Sequence, residues 1–97
     1  MLNSKQRAYL KSLANGIDTI LIIGKGDMSD EIIKQADDAI NKRELIKGKV
    51  LESSNLTAAQ AAQDIADKIN AQVVQTIGSK FVLYKANKKE PKIVLPR

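Results

Sequence analysis

The residues best placed to do chemistry are Gly24-Lys25-Gly26-Asp27, which follow an apolar run and precede Ser29. Glycines let a backbone bend through positive φ and let its N–H groups approach a ligand closely. A helix opening at Ser29 would add free N–H groups and a partial positive charge, and Lys25 a point charge. Together these form a cradle for one phosphate. The pattern alone is weak. It is neither the dinucleotide-binding G-x-G-x-x-G nor a P-loop, and on the motif alone an ordinary tight strand–helix turn is the better reading. KH modules clamp nucleic-acid backbone with a G-x-x-G loop. Here the fourth position is Asp27, which tolerates left-handed geometry but sets an anion beside the proposed anion site.

A second candidate is Gly78-Ser79-Lys80-Phe81-Val82-Leu83-Tyr84-Lys85, where lysines flank aromatics. Lys80 and Lys85, followed by Lys88 and Lys89, would attract phosphates, and an exposed ring could stack on an unpaired base. Phe81 shares its parity with Leu83 and is expected in the core, whereas Tyr84 alternates with them and is expected to be accessible. With three aromatics in the chain, phosphate and sugar contacts should dominate any such binding. A third candidate is Lys47 with Lys49, which point to the same side of a strand, either as a basic stripe or as a plain solvated face. The carboxylates assemble nothing: Asp37 and Asp38 diverge on a helix, and Asp64 and Asp67 sit beside Lys68 on a solvated helical face.

Charge distribution favours a polyanionic partner. The net charge is +5. Residues 1–79 balance ten basic against ten acidic side chains, while residues 80–97 carry six basic ones against Glu90 alone. The excess therefore belongs to the last strand and tail, and nucleic acid is the first expected partner, ahead of an anionic membrane. The sequence has no cysteine, histidine or tryptophan, which excludes thiol chemistry, disulfides, Cys/His zinc sites and imidazole acid–base catalysis. No cofactor or metal is expected. The N-terminal residues lack a signal-peptide pattern, and Ile20–Ile23 is too short to cross a bilayer, so the expected setting is the cytoplasm.

The elements that must position these residues follow from periodicity. Ninety-seven residues with 43% apolar side chains suit a single domain over 1–97, with a basic segment at 85–97. Ser4 is the expected cap of a first helix whose apolar stripe runs through Ala8, Tyr9, Leu10 and Leu13, leaving Lys5, Arg7 and Lys11 on its outer side. Thr19–Ile23 is apolar on both parities and reads as a central strand. Ser29 caps a second helix ending at Lys42 and Arg43, 45–51 form a strand, and Thr57 opens an alanine-rich third helix. Two strands, 73–77 and 81–84, form a hairpin, and Ile93-Val94-Leu95 either adds an edge strand or docks. The order α-β-α-β-α-β-β predicts a two-layer α/β fold. Its mixed four-stranded sheet would have strands separated by helices running parallel and the helices mainly on one face.

The same residues carry a family resemblance. The turn Ile23-Gly24-Lys25-Gly26-Asp27-Met28-Ser29, the stretch from Val74 to Gly78, Val82-Leu83-Tyr84-Lys85 and Lys92-Ile93-Val94-Leu95-Pro96-Arg97 resemble the stand-alone bacterial YhbY proteins. Those are the simplest members of the CRM domain family, named for chloroplast RNA splicing and ribosome maturation. Lys5-Gln6-Arg7 and Leu45-Ile46-Lys47 are similar as well. The resemblance implies an RNA-binding domain, not an enzyme, with a fold like the C-terminal domain of translation initiation factor three. It implies association with precursors of the large ribosomal subunit through the loop Gly24-Lys25-Gly26-Asp27 and nearby basic residues. Asp27 stands where the family usually has its second loop glycine. The expected function is ribosome assembly on precursor large-subunit rRNA. The competing readings are a module docking ribosomal proteins by the flat sheet face or the first helix, and a small enzyme acting on a phosphorylated metabolite at the Gly24 turn.

Overall fold

The computed structural model describes residues 2–25, 29–87 and 89–96. Its elements are α1 (Ser4–Ala14), β1 (Thr19–Ile23), α2 (Asp30–Arg43), β2 (Leu45–Val50), α3 (Ala58–Ile69), β3 (Gln72–Ile77) and β4 (Lys80–Tyr84), the order expected from periodicity. Ser29 caps α2 by accepting from the Ile32 N–H, and Thr57 caps α3 in a capping box with Gln60. At α1 the cap is Asn3 rather than Ser4. Its side chain accepts from the Gln6 N–H while the Gln6 amide oxygen accepts from the Asn3 N–H, at 2.8 and 3.1 Å. Gln6 three residues after Asn3 is the capping-box spacing, and Ser4 has no such partner at Arg7.

The sheet order is β1-β2-β4-β3, with β1 and β2 parallel and β4 antiparallel to both neighbours. The three strands that follow helices therefore point the same way, as expected, and the last strand inserts between β2 and β3. That insertion corrects the reading of β1 as central. It is an edge strand, with Ile22 47% exposed. Its run of isoleucines resembles a central strand because α2 and α3 bury Leu21 and Ile23, while the opposite face is covered only in part.

Each face of the sheet has its own core. On one, α2 and α3 pack Ala36, Ile40, Ala61, Ala62 and Ile65 against Leu21, Ile23, Ile46, Phe81 and Leu83. The alanines of α3 bring its backbone close to the strands. On the other, α1 sets Leu10 and Ala14 against Leu45, Val74, Val82 and Tyr84. Two helices share a face, as predicted, and α1 is the helix that covers the second. Ala8 and Tyr9 were expected on its apolar stripe and are exposed. The buried side runs instead through Leu10 and Ala14, one helical turn apart.

Gly48 shows how the first core is filled. It faces Phe81 across the β2–β4 ladder, and a Cβ there would meet the ring at 2.2 Å from Cζ. The ring lies over the glycine backbone. Gly48→Ala will therefore lower stability by about 1–3 kcal/mol through overpacking, read as a shift of the urea midpoint. An unchanged midpoint would contradict this packing. Gly78 has a different reason. It opens the two-residue turn between Ile77 and Lys80 with φ at +58°, the value that the first position of a type II′ turn needs.

The chain after β4 neither extends the sheet nor hangs free. Ile93 and Leu95 dock on the α1-side core, Val94 points out, and the Gln6 amide donates to the Pro96 carbonyl at 3.1 Å. The expected choice between an edge strand and docking thus resolves to docking. Glu44, fully buried between α2 and β2, holds this segment. Its carboxylate accepts from the backbone N–H groups of Asn87, Lys92 and Ile93, and its own carbonyl accepts from the Lys85 N–H. Burial pushes the Glu44 carboxyl up, but these N–H donors and the nearby Lys92 charge outweigh it and hold it below the usual carboxylate range.

Candidate nucleic-acid interface

Strand direction decides which candidate residues meet. The C-terminal ends of β1, β2 and β3 and the start of β4 share one end of the sheet, since Ile23 pairs with Val50, Lys49 with Lys80, and Ile77 with Lys80. The turn at Gly24, the loop after Val50 and the hairpin turn at Gly78 all leave from this end. So do the N-termini of α2 and α3, whose positive dipole ends face the same side.

At that end Lys25 is exposed. Gly24 is half-buried beside Leu51 and Ser53 and takes no positive φ; a Cβ there would sit at ordinary contact, 3.4 Å from Leu51 Cδ1. The expected left-handed bend is therefore not made at Gly24. Ser29 is spent on capping α2, and Asp30 and Glu31 stand in the first turn. Gly26 and Asp27, the rest of the predicted cradle, lie outside the described residues, as does Lys88.

The lysines form the clearer feature. On the α1 side of the sheet, beyond the part that α1 covers, Lys49 and Lys80 are direct cross-strand partners, and Lys47 is one step away on the same face of β2. Lys47 is half-buried and donates to the Ala14 carbonyl at 3.3 Å, closing the C-terminal end of α1. Lys11, in the last turn of α1, joins Lys47 and Lys80 around a cavity of about 120 Å³. Among the described residues no carboxylate lines that cavity. Ile22 and Ile77, 47% and 65% exposed, flank the Lys49–Lys80 pair on the two edge strands. Like charges directly opposite on a sheet repel at a cost of about 0.2–1 kcal/mol. Such a pair, bordered by uncovered isoleucines, is poor design for a bare surface and suits one that receives an anionic chain.

The remaining candidates separate from this patch. Tyr84 was expected to be accessible and is buried at 4% exposure, packed on the α1-side core. Burial, followed by the Glu44 carboxylate, pushes its phenol above the ordinary value. Alternation along β4 correctly separates it from Phe81, but both faces of this inner strand are covered. Tyr9 is the exposed aromatic, 39% accessible on α1, and nothing in α1's period of apolar residues distinguished it from the core positions. Arg7 does not point outward: its guanidinium Nη1 donates to the Val73 and Val74 carbonyls at 2.6 and 3.0 Å, on the edge strand β3 where a bulge breaks the register. Arg7→Ala will lower the thermal midpoint, since two carbonyl contacts worth about 1.5–3 kcal/mol each to a charged donor are lost. It will leave the salt dependence of RNA binding unchanged; a shallower salt slope would instead make Arg7 a phosphate contact.

Lys5 is exposed in the first turn of α1, which is held at the opposite end of the sheet by the hydrogen bond from the Leu2 N–H to the Gln72 amide oxygen. Lys85 and Lys89 border a depression with Asn41 and Asn87, also at that far end. The basic excess after residue 80 is thus divided: Lys80 belongs to the patch, and Lys85 and Lys89 lie one β4 length away. The flat sheet face offered for protein docking is largely occupied by α1 and the Ile93–Leu95 segment. No group of three potential metal ligands exists among the described residues, and no helix among them is long and apolar enough to cross a membrane.

Comparison with known proteins gives a consistent result. The protein named Probable RNA-binding protein YqeI from Bacillus subtilis (strain 168) is 40% identical over 96 residues, covering 99% of this chain and 100% of its own. A Haemophilus influenzae protein named RNA-binding protein is 34% identical, covering 99% of this chain and 96% of its own. The solution structure of protein SAV1595 from Staphylococcus aureus matches with a TM-score of 0.82 at 42% identity, over 99% of this chain and 100% of that one. The family model for the CRS1/YhbY (CRM) domain matches residues 2–85. With that span, nearly end-to-end relatives and the α-β-α-β-α-β-β order in agreement, this chain belongs to the CRS1/YhbY (CRM) domain family.

Proposed function

We propose that this protein is a cytoplasmic RNA-binding factor, not an enzyme, that assists assembly of the large ribosomal subunit by holding its precursor rRNA. The observation that carries the RNA-binding part is the convergence of Lys11, Lys47, Lys49 and Lys80, from three elements, on a patch whose cavity no carboxylate lines among the described residues. Lys25 is exposed at the Gly24 turn, which leaves from the same end of the sheet. Proteins of the same family from Bacillus subtilis and Haemophilus influenzae bear RNA-binding names, which supports the same ligand class here. The large-subunit precursor is the finer part, and it rests on the resemblance to the YhbY proteins.

The mechanism is electrostatic. Each phosphate neutralised by a lysine releases counterions, so affinity falls with salt at a log–log slope of about −0.7 per phosphate on single strands. A flat salt response would sink the reading. The substrate is tested by crosslinking in cells and sequencing of the bound RNA. Precursor large-subunit rRNA should dominate the reads, and an even spread over messenger and transfer RNA would overturn that assignment. Ribosomal proteins recovered after nuclease treatment would favour the docking reading instead.

A further inference from the structure

The cavity between the end of α1 and the sheet is a different kind of object from the lysine row beside it. Asn15 and Gln75 line it together with Lys11, Lys47, Lys80 and Ile77. Its inner wall is apolar, formed by the buried residues Ala14 and Val82. Neither the Asn15 nor the Gln75 side-chain amide is engaged by another described residue, so each retains two donors and an acceptor. The rim therefore offers cations, the wall an apolar surface, and the amides a paired donor–acceptor edge.

Resting on the RNA-binding reading, we propose that this cavity seats one unpaired nucleotide, so that the ligand is a single-stranded or bulged segment rather than a continuous duplex. A volume of about 120 Å³ admits one base and excludes a base pair. Lys11 and Lys80 neutralise the phosphates on either side of it. Lys47, held by the Ala14 carbonyl, is a fixed cation with donors to spare. Ile77, 65% exposed at the mouth, is covered by the sugar or the base face. Gln75 and Asn15 meet the base edge. A fully paired helix cannot use this geometry. A-form RNA buries its base edges in a deep major groove, and sequence is read where bases are splayed out.

The test uses the whole protein and three RNAs of equal length: a perfectly paired hairpin, the same hairpin with one bulged nucleotide, and an unstructured strand. Fluorescence anisotropy at fixed salt should give affinities for the bulged and unstructured RNAs about tenfold tighter than for the paired one, the worth of one good base contact. Gln75→Ala should narrow the differences among the four bulged bases without changing the salt slope. Because Gln75 lies on a strand, Ile77→Ser at an exposed position provides a second variant that leaves the fold intact and weakens only the bulged and unstructured RNAs. Equal affinity for all three RNAs overturns the proposal while leaving RNA binding in place. Binding to none of them overturns both.

Discussion

Alanine at both Lys49 and Lys80 will weaken RNA binding by at least about tenfold at low salt and reduce the log–log salt slope by roughly 1.4, two phosphate contacts at about 0.7 each. The same double variant will melt at the same temperature as the native protein or slightly above it. The two ammonium groups are direct cross-strand partners, and removing a like-charge pair relieves repulsion. Stability and affinity thus move in opposite directions, which no general damage to the fold would produce. Anisotropy titrations across a series of KCl concentrations, with a thermal melt of the same samples, measure both. The paired control is Lys85→Ala with Lys89→Ala, which removes the same charge from the far end of the sheet. Equal losses from the two double variants would mean that net charge, not the patch, governs binding.

The second large effect belongs to Glu44. Glu44→Ala leaves the partly buried N–H groups of Asn87, Lys92 and Ile93 without their acceptor. At about 1–3 kcal/mol for each unsatisfied group, partly offset as the segment opens to water, a net loss of about 3–5 kcal/mol is expected. A small domain has little stability to spare, so this is a large share of the whole. Glu44→Gly separates the two roles of the residue. Glu44 takes φ at +65°, which glycine adopts without strain. If the backbone were what mattered, glycine would stabilise; with the carboxylate as the anchor, glycine will destabilise nearly as much as alanine. Hydrogen exchange should show protection lost at Asn87, Lys92 and Ile93 in both variants.

Acid will do the same reversibly. The Glu44 carboxyl is held below its ordinary value in the folded state. Its contribution is therefore complete above the unfolded carboxylate pKa of about 4.3 and disappears as pH falls through the lower folded value. The protection factors of those amides, taken against the intrinsic exchange rate at each pH, should fall below pH 4 before global unfolding. If they fall only with the global transition, the anchor is not the local acid-labile element.

How much of this was legible beforehand differs element by element. Ser29 and Thr57 identify their helices because a cap needs only its own side chain and the next turn. Asn3 was legible by the same rule, through Gln6, and Ser4 drew attention only by lying next to it. The Ile20–Ile23 run could not reveal an edge strand, because two-sided apolar composition does not report which strand the final hairpin inserts beside. Tyr84 and Tyr9 exchanged places for a related reason. Alternation states that neighbouring side chains face opposite ways, but not whether the second face is covered, and α1 covers it. Arg7 and Glu44 were illegible as structural residues, since their partners are backbone atoms more than forty positions away.

By itself the sequence settled the order of elements and the basic character of the protein, because these follow from local periodicity, caps and residue types, while the family was carried by the resemblance of its motifs. Only the tertiary structure decided which lysines act together. Charge counted along the chain put the excess after residue 79, but β4 carries Lys80 to one end of the sheet and Lys85 to the other, while pairing brings in Lys47 and Lys49 from β2 and packing brings in Lys11 from α1. Phosphate attraction depends on distance in space, and in a mixed sheet that distance is set by strand register rather than by position in the chain.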